Sequence, residues 1–322
     1  MAHPLRFDFS AINLIPRKCI VDSRSQCNTS LKFANHTFSL PVVPANMECV
    51  MNDSIALKLA RSGHFYIHNR FHKNIFDFSR KMITAGLPLS ISIGVNDADC
   101  KMLENLYEHY LHPNILTIDI AHGHSVKMES MLKWIRATFP NPPFIIAGNV
   151  STAEGVKDLE LWGADCIKVG IGPGSACTTY TATGFGSRGM QASVIAECAA
   201  ARMKPLTMIM ADGGIKDPGD IVKSLVLGAD IVMAGGMFSG FKDSPGEIVR
   251  GYDGKLHKEF WGSASAFQSG KKNRIEGTKN FVAYKDRPIL EELTYIKECL
   301  QSAISYGGGS DLECFKDVKY IV

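Results

Sequence analysis

One cysteine among small and hydroxylated residues, Cys177 in "KVGIGPGSACTTYTATGFG" (residues 168–186), is the first candidate for chemistry. Five glycines and a proline lie in the same stretch. Ordering so much glycine costs backbone freedom, which a chain tolerates where main chain must approach something closely. A free thiol has a pKa of about 8.5 and becomes a good nucleophile only where the thiolate is stabilised. The N–H groups of this loop and the hydroxyls of Ser175, Thr178 and Thr179 can supply that setting, and the loop carbonyls can circle a monovalent cation. Small residues around a buried cysteine are also ordinary packing, so residue types alone leave both roles open.

Two paired glycines follow later, Gly213 and Gly214 in "ADGGI" and Gly235 and Gly236 in "AGGM". Bare N–H groups at the ends of late strands suit a phosphate, and Asp212 is placed to accept bonds from ribose hydroxyls. Tight turns are the plainer reading of each pair. His122 and His124 in "DIAHGH" have ligand-like spacing, but no further ligands accompany them, and zinc takes at least three protein groups. They read as a loop lining a cleft, and "IHNRFHK" as a strand end whose basic residues can meet phosphate. "GIGPGS" does not open a dinucleotide-binding βαβ unit, so a nicotinamide cofactor would bind in another way.

Elements must carry these groups to one place. Eight short apolar runs end in Gly, Asn, Asp or His: 40–46, 64–69, 87–95, 115–123, 144–150, 166–172, 206–214 and 230–236. Between them lie helical stretches such as "DSIALKLARSG", opened by an Asp-Ser cap and closed by glycine, and "SVKMESMLKWIRATF", apolar at 126, 128, 131, 132, 135 and 139. Continuous apolar strands alternating with helices indicate an α/β chain with a helix-covered parallel sheet, and eight units fit a (β/α)8 TIM barrel. A doubly wound open sheet is the alternative. The polar strand ends, Asn46, Asn69, Asp119, Asn149, Gly172 and Asp212, then share the C-terminal face on which barrels do chemistry. One barrel domain over 1–322 is expected, with the Gly-, Ser- and Lys-rich segment 241–285 as a mobile flap.

The 322 residues are 45% hydrophobic, enough for a substantial core, and the net charge of +3 is scattered rather than gathered into a stripe, so nucleic acid is not an implied partner. With no signal-type or membrane-spanning apolar run, a cytoplasmic protein is expected. The nine cysteines are odd in number and contain no CxxC pair. Cys19, Cys27, Cys49, Cys100, Cys166, Cys198, Cys299 and Cys314 read as reduced, buried thiols.

Together, "KVGIGPGSACTT" and "ADGGIKDPGDIVKSLVLGADIVMAGGMFSG" resemble the catalytic loop and phosphate-binding half of the IMP dehydrogenase and GMP reductase family. The resemblance runs from "SRSQCN" and "PVVPANM" to "IEGTKNFVAYKD" and "SAISYGGG", nearly the whole chain. No regulatory insert interrupts the early units, and "GSASAFQSGKKNRIEGT" lacks the Arg-Tyr pair of the dehydrogenases. "DIAHGHS", "VPANM" and "GSAS" are similar to the bacterial-type GMP reductase branch.

The resemblance implies NADPH-dependent reductive deamination of GMP to IMP and ammonia through a thioimidate on Cys177, with Thr179 and Glu276 as a proton relay. It implies that Asp212, Gly213, Gly214, Gly235, Gly236 and Ser175 hold ribose and phosphate, while Gly262, Ser263, Ala264, Arg274 and Gly277 close over the nucleotide. Carbonyls of Gly172, Gly174 and Cys177 would meet potassium. NADPH would meet Asp119, Ile120 and Ala121, with Ser23, Arg24, Ser302 and Ser305 reaching in from a neighbour in a homotetramer. Tyr180 stands where relatives often carry a basic residue, and Asn69 where a cofactor lysine is expected, with Arg70 beside it. The rival readings are an IMP dehydrogenase without the insert and a non-catalytic purine-nucleotide-binding barrel.

Overall fold

Strands covered on both faces need apolar residues at nearly every position. Seven such segments form the central sheet of the computed structural model, which describes residues 6–72, 74–270, 273 and 275–322. They are β1 (Val42–Pro44), β2 (Ser90–Ile93), β3 (Ile115–Asp119), β4 (Phe144–Val150), β5 (Cys166–Val169), β6 (Met208–Asp212) and β7 (Ile231–Ala234). All pair in parallel, in the order β1-β7-β6-β5-β4-β3-β2. The sheet curls into the expected TIM barrel, with β1 and β2 as its edges.

The expected strand at 64–69 is extended but forms no ladder of its own. It touches both edges of the sheet: Ser39 N–H donates to Gly63 O (2.8 Å) just before β1, and His68 N–H donates to Ser90 O (3.1 Å) in β2. The Ser92 hydroxyl donates to His68 O (2.5 Å), so a side chain serves where a ladder would use main chain. β2 itself begins at Ser90 rather than 87, after Pro88, which has no N–H to give.

Inside the barrel, Val43, Phe65, Ile67, Ile115, Ile146, Cys166, Met210, Ile231 and Met233 form one buried cluster. A hairpin of Leu31–Phe33 and His36–Phe38, not anticipated from the sequence, closes the N-terminal end. The Phe33 ring lies 4.9 Å from those of Phe38 and Phe65 and 5.4 Å from Phe144, the first residue of β4.

Helices α1 (Asp53–Arg61), α2 (Ile75–Thr84), α3 (Asp97–Glu108), α4 (Val126–Thr138), α5 (Ala153–Trp162), α6 (Thr179–Thr183), α7 (Gln191–Ala200) and α8 (Pro218–Val226) fall between and after the strands. Ser125, Thr152 and Asp217 each cap an N-terminus by accepting a backbone N–H two or three residues into the helix. The cap of α1 is Asn52, one residue before the expected Asp-Ser start, with Ile55 N–H donating to Asn52 Oδ1 at 3.0 Å.

Residues 241–285 contain a three-stranded antiparallel sheet of β8 (Ile248–Arg250), β9 (Leu256–Trp261) and β10 (Lys279–Ala283), with the short α9 (Ala266–Ser269). The final α10 (Ile289–Tyr306) packs on α8. Among the described residues no helix is long and apolar enough to cross a membrane. All nine cysteines are free, but Cys19 is exposed and Cys100 and Cys299 are only half-buried, so the expectation of buried thiols fails for these three.

Because Phe33 joins the hairpin plug to three other rings, Phe33→Ala should cost about 3–5 kcal/mol of stability in urea unfolding. A loss below about 1 kcal/mol would show that the plug does not support the barrel core.

Candidate active site

Strand alternation sends every second side chain inward, and the inward columns end in polar groups at the C-terminal mouth. Ile115 is followed two residues on by Thr117 and then Asp119, Cys166 by Lys168, and Met210 by Asp212. Lys168 Nζ donates to Asp119 Oδ1 and to Asp212 Oδ2, each at 2.8 Å. Asn149 Nδ2 also donates to Asp212 Oδ2 (2.8 Å) and to Gly170 O (2.6 Å). Gly148 makes this possible, because a Cβ there would lie 2.6 Å from Lys168 Cβ and 2.6 Å from its carbonyl oxygen.

Burial by itself would lower the Lys168 pKa and raise that of Asp119. The mutual charges outweigh it: Asp119 and Asp212 hold the Lys168 pKa well above its ordinary value. Lys168, with Arg70 behind it, holds Asp119 below the usual carboxylate range. At the floor of the site, Lys168 and Asp119 therefore face each other as opposite charges.

Above this floor lies a cavity of about 780 Å³. Its lining includes Asp119, Ile120, Ala121, Gly172, Gly174, Ser175, Cys177, Thr179, Asp212, Gly213, Gly214, Gly235, Gly236, Gly262, Ser263, Ala264 and Glu276. These seventeen positions of the expected set thus meet at one opening, which spacing alone could not show. The half-buried Cys177 Sγ–H donates to Thr179 Oγ1 at 3.3 Å, and Thr179 Oγ1–H donates to Glu276 Oε2 at 2.6 Å. Glu276 is 97 residues from Thr179, so only the fold joins them.

Backbone pairing fixes that chain. Thr178 N–H donates to Glu276 O (2.9 Å) and Thr278 N–H to Ala176 O (2.9 Å), so Cys177 and Gly277 face each other as an antiparallel bridge. Glu276 N–H donates in turn to Ala264 O (3.1 Å). Gly262 and Gly277 are needed for this closeness: a Cβ on Gly262 would stand 2.8 Å from Ala176 O, and one on Gly277 2.9 Å from Ser265 N.

Of the paired glycines Gly236 leaves the most room, whereas a Cβ on Gly213 would stand 2.9 Å from Pro173 Cγ and one on Gly235 3.2 Å from Met47 Sδ. Gly213 and Gly214 have φ of +88° and +79°, and the nearest atom to a Cβ built on Gly236 is Ser175 Oγ, 3.8 Å away. Cations that the sequence reading did not single out, Arg188 and Lys216, line the cavity beside Gly213 and Gly214. Lys168 and Asn149 were likewise unassigned; the signal for Lys168 was its two-residue offset from the inward Cys166.

Other expected residues lie elsewhere. Ser23, Arg24, Ser302 and Ser305 are not in the cavity lining of this chain: Arg24 Nη1 donates to Ser302 Oγ (2.9 Å), and Ser305 Oγ lies 3.1 Å from Cys19 Sγ. Ser23 caps a short 3-10 turn. Arg274 falls outside the described residues. Asn69 is buried and structural, donating to Met51 O (2.9 Å) and accepting from Phe71 N–H (3.0 Å), whereas Arg70 lines the cavity near Asp119. His122 and His124, expected to line the cleft, are not in the cavity lining, and His124 instead pairs with Asp158 (2.7 Å).

The histidines of "IHNRFHK" do not meet the cavity either. His68 and His72 both point Nε2 at Asp53 Oδ1, at 3.0 and 2.7 Å, and these three groups lie within metal-ligating distance of one another. His72 Nδ1, however, accepts Asn74 N–H (2.9 Å), so its Nε2 carries the hydrogen and offers no lone pair to a metal. The cluster ties the 64–72 segment to the start of α1.

Residues 6–322 match the family described as the IMP dehydrogenase / GMP reductase domain. A Staphylococcus epidermidis protein named GMP reductase is 49% identical over 98% of this chain and 96% of its own length. Proteins of the same name from Clostridium acetobutylicum and Bacillus subtilis are 48% and 47% identical over 98% of this chain and 95% of theirs. The chain belongs to the IMP dehydrogenase / GMP reductase family and is an oxidoreductase with that family's barrel.

Hydrogen bonding from His68, opposed by partial burial and helped by His72, lowers the Asp53 pKa from 3.8 to about 2. A depressed carboxylate stabilises the fold above its unfolded pKa and stops doing so as pH falls through its folded one. Asp53→Asn should therefore lower the melting temperature at pH 6, with the gap to the parent narrowing below about pH 4. A gap that stays constant down to pH 3 would show that the Asp53 charge is not what clamps this segment.

Proposed function

We propose that the chain catalyses the reductive deamination of GMP to IMP and ammonia with NADPH, through a covalent thioimidate on Cys177, in purine nucleotide interconversion. The hydrogen-bonded series Cys177–Thr179–Glu276 at the cavity wall carries this reading. The names of the similar proteins support the same substrate.

In this reading Asp212 accepts ribose hydroxyls, while Ser175, Gly213, Gly214, Gly235 and Gly236 of the cavity lining surround the phosphate. Gly262, Ser263, Ala264 and Gly277, carried by the 241–285 flap, close over the purine. The Cys177 proton moves through the Thr179 hydroxyl towards Glu276 as the thiolate attacks C2 of guanine. Glu276 then returns a proton by the same path to the departing nitrogen, the C–N bond breaks, and ammonia leaves a C2–sulfur thioimidate. NADPH supplies the hydride that reduces C2; the electron pair of the C–S bond returns to Cys177 as IMP forms. The stretch 262–278 carries no Arg-Tyr pair of the kind that activates water in the dehydrogenases, which favours hydride return over hydrolysis.

Asp119, Ile120 and Ala121 form the cofactor wall, and the Arg70 guanidinium beside it fits the charge of a phosphorylated nicotinamide cofactor. Ser23, Arg24 and Ser302 lie together outside the cavity, which suits delivery to a neighbour's cofactor in a homotetramer, whereas Ser305 is buried beside Cys19 and would have to be uncovered to take part. The Gly172–Cys177 turn offers neutral carbonyls, a donor set fitted to potassium; Gly174 O accepts Cys177 N–H (3.0 Å) and keeps a second lone pair. An IMP dehydrogenase without the insert is the competing reading. Nicotinamide absorbance decides between them: oxidation with GMP plus NADPH, accompanied by ammonia, supports the proposal, and reduction with IMP plus NAD alone overturns it.

Cys177→Ser should abolish turnover while GMP still binds, because an alcohol is a poorer nucleophile of similar size. Trapped parent enzyme should carry a nucleotide adduct on the Cys177 peptide in mass spectrometry; an adduct confined to another cysteine refutes the role.

Glu276→Gln removes the proton carrier and should slow ammonia release by roughly 10²- to 10⁴-fold. Hydride transfer to a preformed intermediate should change far less, since that step needs no leaving-group proton. Equal slowing of both steps in single-turnover kinetics would make Glu276 a positioning group.

A further inference from the structure

Lys168 is 3% exposed, yet its ammonium is shared by carboxylates from two different strands, β3 and β6. Those carboxylates stand on the two walls of the cavity. Asp119 belongs to the run Asp119, Ile120, Ala121, and Asp212 to the run Asp212, Gly213, Gly214. The lysine and Asn149 both donate to the same oxygen of Asp212, Oδ2, and among the described residues Oδ1 has no protein donor. Two donors on one oxygen set the plane of the carboxylate and leave the other oxygen for a ligand hydroxyl.

We propose that Lys168 is a positioning residue that couples the two halves of the site, holding Asp119 and Asp212 ionised and oriented together so that the nucleotide sugar and the cofactor wall are set in register. This rests on the reading of Asp212 as the ribose acceptor. Two carboxylates left close together without the ammonium cannot both stay ionised at neutral pH, and one takes up a proton. A protonated Asp212 loses its charge-assisted bonds to the sugar. The other charged or titratable groups near the trio are few. Arg70 acts on Asp119 from the loop after 64–69, and Cys166 lies two residues back on β5 with its thiol raised well above ordinary by burial, so it stays neutral. Arg188, Lys216, Asp8 and Glu276 stand farther round the cavity lining.

The test compares Lys168→Met and Lys168→Arg with the parent. At pH 7 the methionine variant should show an infrared band of a protonated carboxyl that the parent and the arginine variant lack. Adding Asp119→Asn to Lys168→Met should remove that band, because a lone carboxylate has no like charge beside it. The KM for GMP should rise roughly 10- to 100-fold in Lys168→Met, the loss expected for hydrogen bonds to a charged group, and should recover as pH is raised towards 9. Lys168→Arg should recover most of the affinity at pH 7. Folding of each variant is read by circular dichroism. A pH-independent loss of activity with no protonated-carboxyl band would overturn the proposal, leaving Lys168 as structural. The band needs no substrate, so a parent inactive on GMP would sink the reaction assigned above without deciding the coupling. Should Lys168→Met fail to fold, a Lys168→Arg variant with unchanged KM and pH profile still supports the coupling, and one with neither restored overturns it.

Discussion

A charge placed inside a barrel must be paired, and the pairing of Lys168 with Asp119 and Asp212 governs the architecture of the mouth. The ammonium draws the ends of β3 and β6 towards β5. It requires a glycine at 148 on β4, because any side chain there would occupy the space of the lysine stem. Asn149 then reaches across to Asp212 and Gly170, so four neighbouring strands contribute to one polar layer directly above the apolar interior. The cost of desolvating three charges is offset only because each finds a partner, which makes the layer a fixed platform rather than a collection of mobile side chains.

On that platform the position of Cys177 is set by main chain more than by side chain. The loop after β5 and the segment after α9 exchange two backbone hydrogen bonds around Cys177 and Gly277, and this brings Glu276 to the hydroxyl of Thr179. Glycines 262 and 277 serve by what they lack, since a methyl at either would push the two segments apart. The flap is thereby joined to the cysteine loop through its own strand-like contact, while β9 is also held to the barrel by the Cys49 thiol, which donates to Trp261 O at 3.1 Å. A single segment thus brings both Glu276 and the Gly262–Ala264 turn to the cavity lining.

The far end of the barrel has different requirements. Nothing polar is needed there, and the Phe33–Phe38 hairpin fills it with rings packed at angles that suit aromatic edges and faces. The gap between β1 and β2 is filled by residues 64–69 with few main-chain bonds, and its ends are held by side chains: Ser92 on His68 O, Asn69 on Met51 O, and Asp53 between two imidazoles. The aromatic packing is therefore gathered at the N-terminal end of the interior and the polar groups at the C-terminal mouth.

Periodicity and composition determined a helix-covered parallel sheet, because strands buried on both faces must be apolar throughout and the polar break at each end marks where the mouth begins; a closed barrel or an open sheet would satisfy the same pattern. Cys177, Thr179, Asp212 and the glycine pairs were legible for the same local reason: each is an exception within a regular pattern. Lys168 was not, since one lysine in a buried strand reads as an interruption until Asp119 and Asp212, 49 and 44 residues away, are seen beside it. The hairpin plug escaped notice because three-residue strands carry too little pattern, and the expected strand at 64–69 failed as a ladder because side-chain hydroxyl and amide groups took over its bonds. The pairing of Glu276 with Thr179 came from the family resemblance and not from spacing along the chain, and residue types alone could not say that Asn69 turns inward while Arg70 faces the cavity. Those relations are set by the closing of one loop upon another, a distance in space that no spacing along the chain encodes.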